Sequence, residues 1–297
     1  MTGAERGFLL LTGTLGNPDR KPLTVAQLRT LATRIRGLPK PEEERELTAA
    51  DLTELGFSAE GARRVVDLLE DRELLEVYLR RGSRAGCVPI TRVTEGYPRA
   101  LRWKLGPDSP GCLWARGDVS LLDTPMISLV GSRDLEYKNR AFARQVGEQA
   151  AEQGFTLVSG NARGADKTAQ DACLNAGGKV ISVLADELEH REPGKNLLYL
   201  AEDGFELPFT AQRALSRNRV IHCLGEKTFV AQCAAHTGGT WYGTTKNLRF
   251  GWSTVFCYDD GSEGSRLLEQ MGARLIGREM LTDLRELRAN QMNIFDQ

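Results

Sequence analysis

The sequence predicts an α/β protein with a doubly wound, mainly parallel sheet, preceded by a small helical domain. Three observations carry that prediction. Short β-branched or apolar runs alternate with amphipathic stretches through the second half of the chain. Several of those runs end in glycine-rich turns. The first 90 residues instead show apolar positions at helical spacing.

The helical region comes first. "LTVAQLRTLATRIRGL" has the period of an amphipathic helix, and the charged, proline-marked "PKPEEERE" interrupts it. "LTAADLTELGFSAEGARRVVDLLEDRELLEVYLRRG" reads as several short helices, with Ser58 placed to cap one of them. Residues 1–90 are therefore expected to form a helix-hairpin-like module. From Thr91 to about Thr124 the chain reads as loop, and Trp103 and Trp114 within it read as core residues. "MISLVGS", "FTLVSG", "KVISVLA", "KTFVAQC" and "STVFCY" follow as strands, and residues 91–280 are expected to form the sheet domain. "REMLTDLRELRANQMNIFDQ" reads as a helix with a short end, within a tail at 281–297.

Composition narrows the function. The chain has 297 residues, 41% of them hydrophobic, and a net charge of −1, so any polyanion site must be a local concentration of charge. Six scattered cysteines without a CxxC pair, and three histidines, argue against a metal site or a disulfide framework and for a reduced cytoplasmic protein. The "FLLL" run near the start is too short for a signal peptide, and no membrane span is expected. No cofactor motif is found.

In a doubly wound sheet, ligands gather beyond the carboxyl ends of the strands. "VGSR" (Gly131, Ser132, Arg133) and "SGNARGAD" (Ser159 to Asp166) sit at two such ends, and "HTGGT" (Thr237, Gly238, Gly239, Thr240) follows a third. Glycines 160 and 164 let backbone N–H groups approach an anion, and Arg133 and Arg163 add bidentate donors. Asp166, at a helix start, reads as a residue that caps or orients an arginine. "SRNRVIHCLG" brings Arg217, Asn218 and Arg219, and Lys246 follows the last glycine turn. The plain alternative for each turn is geometric loop closure. Trp241 and Tyr242 lie inside the glycine turn, where a ring could stack on a base or pack.

In this order and spacing, "VGSR", "SGNARGAD", the "KN" of "REPGKNLLYL", "SRNRVI" and "HTGGTWYGT" resemble the DprA/Smf family of DNA-processing proteins. "YPRALRWKLGPDSPGCLWARGD" resembles the family's approach to its Rossmann-like domain. The resemblance runs from about Asp71 to Ile276. It implies a Rossmann-like domain that binds single-stranded DNA and hands it to a RecA-type recombinase, and a homodimer. It adds Asn196 to the binding residues. The chain departs from the family pattern at Gln170 and Gln232, and in "ADELEHREP" and "TGGTWYGTT".

Two further readings stay open. A similar glycine turn in the lonely-guy phosphoribohydrolases carries a glutamate that this chain lacks. An N-glycosidic hydrolase would have to use Asp166, or Asp186 and Glu187. The competing expectation is thus a nucleotide-binding sensor or such a hydrolase, against a leading expectation of a non-enzymatic strand-binding protein in recombination, transformation or phage defence. At the tail, "QMNIF" (Gln291, Met292, Ile294, Phe295) resembles peptides that dock on the sliding clamp.

Overall fold

The computed structural model describes residues 1–36 and 46–288. Helices α1 (Gly3–Thr12), α2 (Val25–Ile35), α3 (Ala49–Glu54), α4 (Ala59–Glu70) and α5 (Arg72–Arg84) come first. Thr2, Thr24 and Thr48 close capping boxes, and Ser58 accepts from the Gly61 amide as its sequence position predicts. Each such cap contributes about 1 kcal/mol. Arg20, 7% exposed, ties these helices together through Asp71 and the carbonyls of Leu10, Gly13 and Leu68.

Among the described residues, nine strands form one sheet: β1 (Val88–Thr91), β2 (Cys112–Gly117), β3 (Met126–Val130), β4 (Thr156–Ser159), β5 (Lys179–Leu184), β6 (Leu197–Glu202), β7 (Lys227–Val230), β8 (Thr254–Tyr258) and β9 (Arg274–Ile276). Their order is β1-β2-β6-β5-β4-β3-β7-β8-β9. Pairs from β6 through β9 are parallel, while β2 pairs antiparallel with both β1 and β6. Helices α6 (Arg99–Leu105), α7 (Tyr137–Glu152), α8 (Ala165–Asn175), α9 (Ala211–Leu224), α10 (Gly238–Phe250) and α11 (Glu263–Gln270) complete the chain.

Period-two alternation divides the core. Ile127 and Leu129 of β3 face α7 and α8, whereas Val130 faces the layer holding α9 and α10. The result is a three-layer sandwich, as predicted. The chain leaves β3 toward β4 on one side and returns at β7 on the other, so a crevice opens between the carboxyl ends of β3 and β7.

Three expectations are corrected. The stretch from Thr91 to Thr124 is not loop, because it contains α6 and β2. The β2 run "CLWARG" contains no β-branched residue, so local composition does not announce it as a strand. Trp114 is fully buried against Tyr78 and Phe205, which locks α5 onto the sheet. Trp103, expected in the core, is 90% exposed. Leu101 takes the inward face of α6, and a residue two positions on points about 200° away. Finally, the described part of the tail forms a 3₁₀ turn, Arg278–Thr282, instead of an α-helix. Leu281, Leu284 and Leu287 pack beside α7, and the Gln153 side chain bonds the Leu281 carbonyl and the Leu284 amide. Those polar contacts replace helical hydrogen bonds. Gln291, Met292, Ile294 and Phe295 lie outside the described residues.

Among the described residues, no helix is long and apolar enough to cross a membrane, and no cluster of His, Cys, Asp and Glu could hold a metal ion. All six cysteines are free and buried.

Candidate nucleic-acid interface

The glycine turns converge because parallel strands point the same way. The Ser132 amide donates to the Gln232 carbonyl at 3.0 Å, and the Ala165 amide to the Ser132 carbonyl at 3.1 Å. Those bonds staple the ends of β3 and β7 to the start of α8. Gly164 has φ +89°, and a Cβ there would lie 2.4 Å from the Ser132 and Arg133 carbonyl oxygens. Only glycine lets the turn pass this close.

Gly160 has a different role. A Cβ on it would stand 1.5 Å from Nη1 of Arg217, so the guanidinium lies directly over the bare backbone. Arg217 is 8% exposed. Its nearest carboxylate, Asp166, is 3.8 Å from Nη2, and its Nε has no hydrogen-bond partner among the described residues. Asp166 also accepts from the Ala162 amide at 3.3 Å. Burial pushes the Asp166 carboxyl up, with Arg217 opposing, and burial pulls the Arg217 guanidinium down. A nearly buried cation with one distant counter-ion and an idle donor is electrostatically incomplete. An incoming anion would complete it.

Two connected pockets share Arg217, Arg133, Ala162 and Phe209. The first, about 420 Å³, lies beyond β4 and β5. Arg133, Arg163, Arg191 and Arg217 face it, against the carboxylate of Asp186. The second, about 600 Å³, fills the crevice between β3 and β7. Its wall is largely apolar and ends on Thr237, Gly238, Gly239 and Thr240 at the start of α10. Thr237 makes no side-chain cap, so the first-turn amides of α10 keep their positive character. Phe209, Leu215 and Tyr242, each at least half exposed, stand around the mouth.

The sequence-selected residues divide accordingly. Gly131, Ser132, Arg133, Gly160, Arg163, Arg217, Asn218 and the Thr237–Thr240 turn line one pocket or both. Arg163 is exposed and paired with Asp134 at 2.6 Å. Ser159 is buried, and its hydroxyl donates to the Leu129 carbonyl, so it staples strands and does not face a ligand. Asn196 is a correction: it precedes β6, at the opposite end of the strands from the pockets, and its amide donates to the Gly177 carbonyl. Arg219 is a second correction, since it bonds Glu202 and the Asp108 carbonyl. Two positions from Arg217 on the same helix, it points the other way. Lys246 is exposed further along α10, on neither pocket wall. Trp241 is 7% exposed and packs in the core, which leaves Tyr242 as the available ring. Of the carboxylates, Asp166 holds Arg217, Asp186 is bonded to Arg191, and Glu187 is half-buried on neither wall.

Sequence reading missed His222. It lines the larger pocket at 1% exposure, and burial together with the Arg217 charge pulls its imidazole down to about 3. Its spacing, four residues after Asn218, was the available signal.

The sequence matches the family model described as "DNA recombination-mediator protein A" over residues 89–285. It is 29% identical over 185 residues to Protein Smf of Escherichia coli, covering 57% of this chain and 49% of that protein. It is 29% identical over 176 residues to the DNA processing protein DprA of Bacillus subtilis, covering 56% of this chain and 57% of that one. The chain thus spans about half the length of these relatives. The crystal structure of DNA processing protein A from Streptococcus pneumoniae superimposes with a TM-score of 0.70 at 24% identity, covering 93% of this chain and 95% of that one. That of DNA processing protein A from Helicobacter pylori, solved for its single-stranded DNA binding mode, gives 0.55 at 23% identity over 64% of this chain and 90% of that one. At those identities the two structures establish the shared fold.

Proposed function

Since the chain belongs to the DNA recombination-mediator protein A family, we propose that it binds single-stranded DNA along the paired pockets at the carboxyl ends of its strands. The observation that carries the reading is the arginine-faced pocket opening beside exposed Phe209, Leu215 and Tyr242. Arginines that follow phosphates, with rings that accept unstacked bases, are the parts a single strand needs. A positive groove on a protein of net charge −1 also confines binding to one face. The Helicobacter pylori structure of the same fold was solved for its single-stranded DNA binding mode, which supports the same ligand here.

The finer parts of the reading rest on the family. The bound strand would be passed to a RecA-type recombinase, and two copies would pair. The division into a helical unit and a strand-binding unit belongs to the same proposal, with the boundary before β1 (Val88–Thr91), which joins the sheet, and not at residue 90. Six buried free thiols support a reducing, cytoplasmic setting.

Fluorescence anisotropy of a labelled single strand over a salt series tests the proposal, with Arg133→Ala/Arg163→Ala in parallel. Affinity should fall steeply with salt, and the double variant should bind more weakly with a shallower salt slope. Absence of binding at low salt would overturn it. Release of free base from DNA, lost in Asp166→Asn, would instead favour the hydrolase.

A further inference from the structure

Helix α2 is poorly anchored for its length. Of its eleven residues only Leu31 is buried. A helix that short is marginal in water, and burial of an amphipathic face normally supplies its stability. The Thr24–Gln27 capping box secures one end. Most of its apolar surface is unpartnered. Val25 and Ile35 are 47% and 37% exposed, Ala32 is exposed and Leu28 is half-buried. Their spacing of three, four and three residues puts all four on one face, in the pattern of a helix-packing seam.

That seam is one wall of a groove of about 550 Å³. Phe8 and Leu11 of α1, with Val93 and Pro107 from the segments flanking α6, complete the apolar lining. Four arginines also line the groove, and no described aspartate or glutamate does. Arg29 and Arg36 each directly follow a seam residue, so they flank the seam on one side. Arg92 and Arg102 come from the other wall. Arg92 donates to the Pro107 carbonyl at 2.5 Å, and Arg102 to the Arg92 carbonyl at 2.9 Å. Neutral acceptors hold both guanidiniums in place and leave their charge uncompensated. Arg29 meets Asp108 at 3.5 Å with both side chains more than half exposed, which is a weak pair.

An apolar seam at helical spacing, with positive charge on both rims, restricts the occupant. A nucleic-acid backbone would match the arginines and leave the apolar lining wet. An amphipathic helix with acidic residues beside its own apolar stripe matches both. We propose that the groove docks such a helix from a partner protein. Its aliphatic side chains pack between Val25, Leu28, Ala32 and Ile35, and its carboxylates face Arg29, Arg36, Arg92 and Arg102. The helical unit is then a protein-docking module, and its groove shares no residue with the pockets at the carboxyl ends of the strands.

The probe is a labelled synthetic peptide of about three heptads, with leucine at its seam positions and glutamate beside them. Its twin carries lysine in place of glutamate. By fluorescence anisotropy the full chain should bind the acidic peptide about tenfold more tightly than the basic one, because facing like charges oppose docking. Val25→Glu/Ile35→Glu, at exposed positions where substitution spares the fold, should abolish that binding. Arg29→Glu/Arg36→Glu should bring the two peptides within about threefold of each other. Part of that change is a gain for the lysine peptide, which unfolding would not produce. Equal affinity for both peptides, or binding of neither, would overturn the proposal. Acidic-peptide binding that survives Val25→Glu/Ile35→Glu would overturn it as well. A dimer of the unsubstituted chain that dissociates in Val25→Glu/Ile35→Glu would replace the partner helix with a second copy. Loss of single-strand affinity in Arg29→Glu/Arg36→Glu, without peptide binding, would assign the face to nucleic acid instead.

Discussion

The two pockets use arginine in opposite ways. In the smaller one, Arg163 is about three-quarters exposed and its pair with Asp134 is equally open to water. Such a pair contributes little to stability, and its charge is screened by salt. At the wall shared with the larger pocket, Arg217 is nearly buried, stacked over Gly160, and paired only at 3.8 Å. The first arrangement attracts a polyanion from a distance. The second contributes a short-range term that grows when water is displaced. The contrast separates capture from fit.

Removing Arg217 should have the largest effect. Arg217→Ala leaves Asp166 buried without its counter-ion, and breaking a buried pair costs roughly 3–5 kcal/mol. We expect a large drop in the denaturation midpoint together with loss of strand binding. An unchanged midpoint would mean that the pair carries no stability. Gly160→Ala should follow, because its methyl would displace the guanidinium while the Asp166 charge stays near it. Strand affinity should fall at least tenfold with a smaller loss of stability, and retained affinity would detach Arg217 from the site.

Acid should come next. The His222 imidazole is held near 3, against an ordinary 6.5. Its contribution is intact above pH 6.5 and is lost as pH falls toward 3, because only the unfolded chain takes up the proton. The slope is at most ~1.4 kcal/mol per pH unit. Burial raises the carboxyls of Asp166, Glu202 and Asp203, which gives the opposite sign: their contribution is present at low pH and lost as pH rises through the folded values. Between pH 6.5 and 5 the histidine term should show as a decline that is flatter in His222→Leu, read from denaturant midpoints. Equal slopes in the two proteins would contradict a buried, neutral His222.

The smallest stability effects belong to the exposed side chains. Arg163→Ala should change stability by less than about 0.5 kcal/mol yet lower the salt slope of strand binding by about one. Asn196→Ala should leave strand affinity unchanged. Weakened binding in that variant would place part of the interface at the far end of the strands.

Much of this arrangement is legible locally. Short β-branched and apolar runs marked β3, β4, β5, β7 and β8, because buried parallel strands are apolar on both faces, and period 3.6 marked α2. "VGSR" and "SGNARGAD" were legible as strand-end turns, since glycine directly follows an apolar run in each and permits a tight strand-to-helix path. β2 and β6 were not, because "CLWARG" and "LLYLAE" contain no β-branched residue to set them apart from loop or helix.

By itself, the sequence determined the alternation of strands and helices, the glycine turns and the order of the arginines, all set within a few residues by sterics and hydrogen bonding. Tertiary structure decided which end of the sheet each loop reaches and which face of α9 turns inward. It therefore placed Asn196 away from the site, turned Arg219 toward Glu202, and buried Arg217 over Gly160. It also buried His222 beside Asn247, a residue 25 positions away. Burial and hydrogen-bond partnership are properties of packing, and no local pattern encodes them.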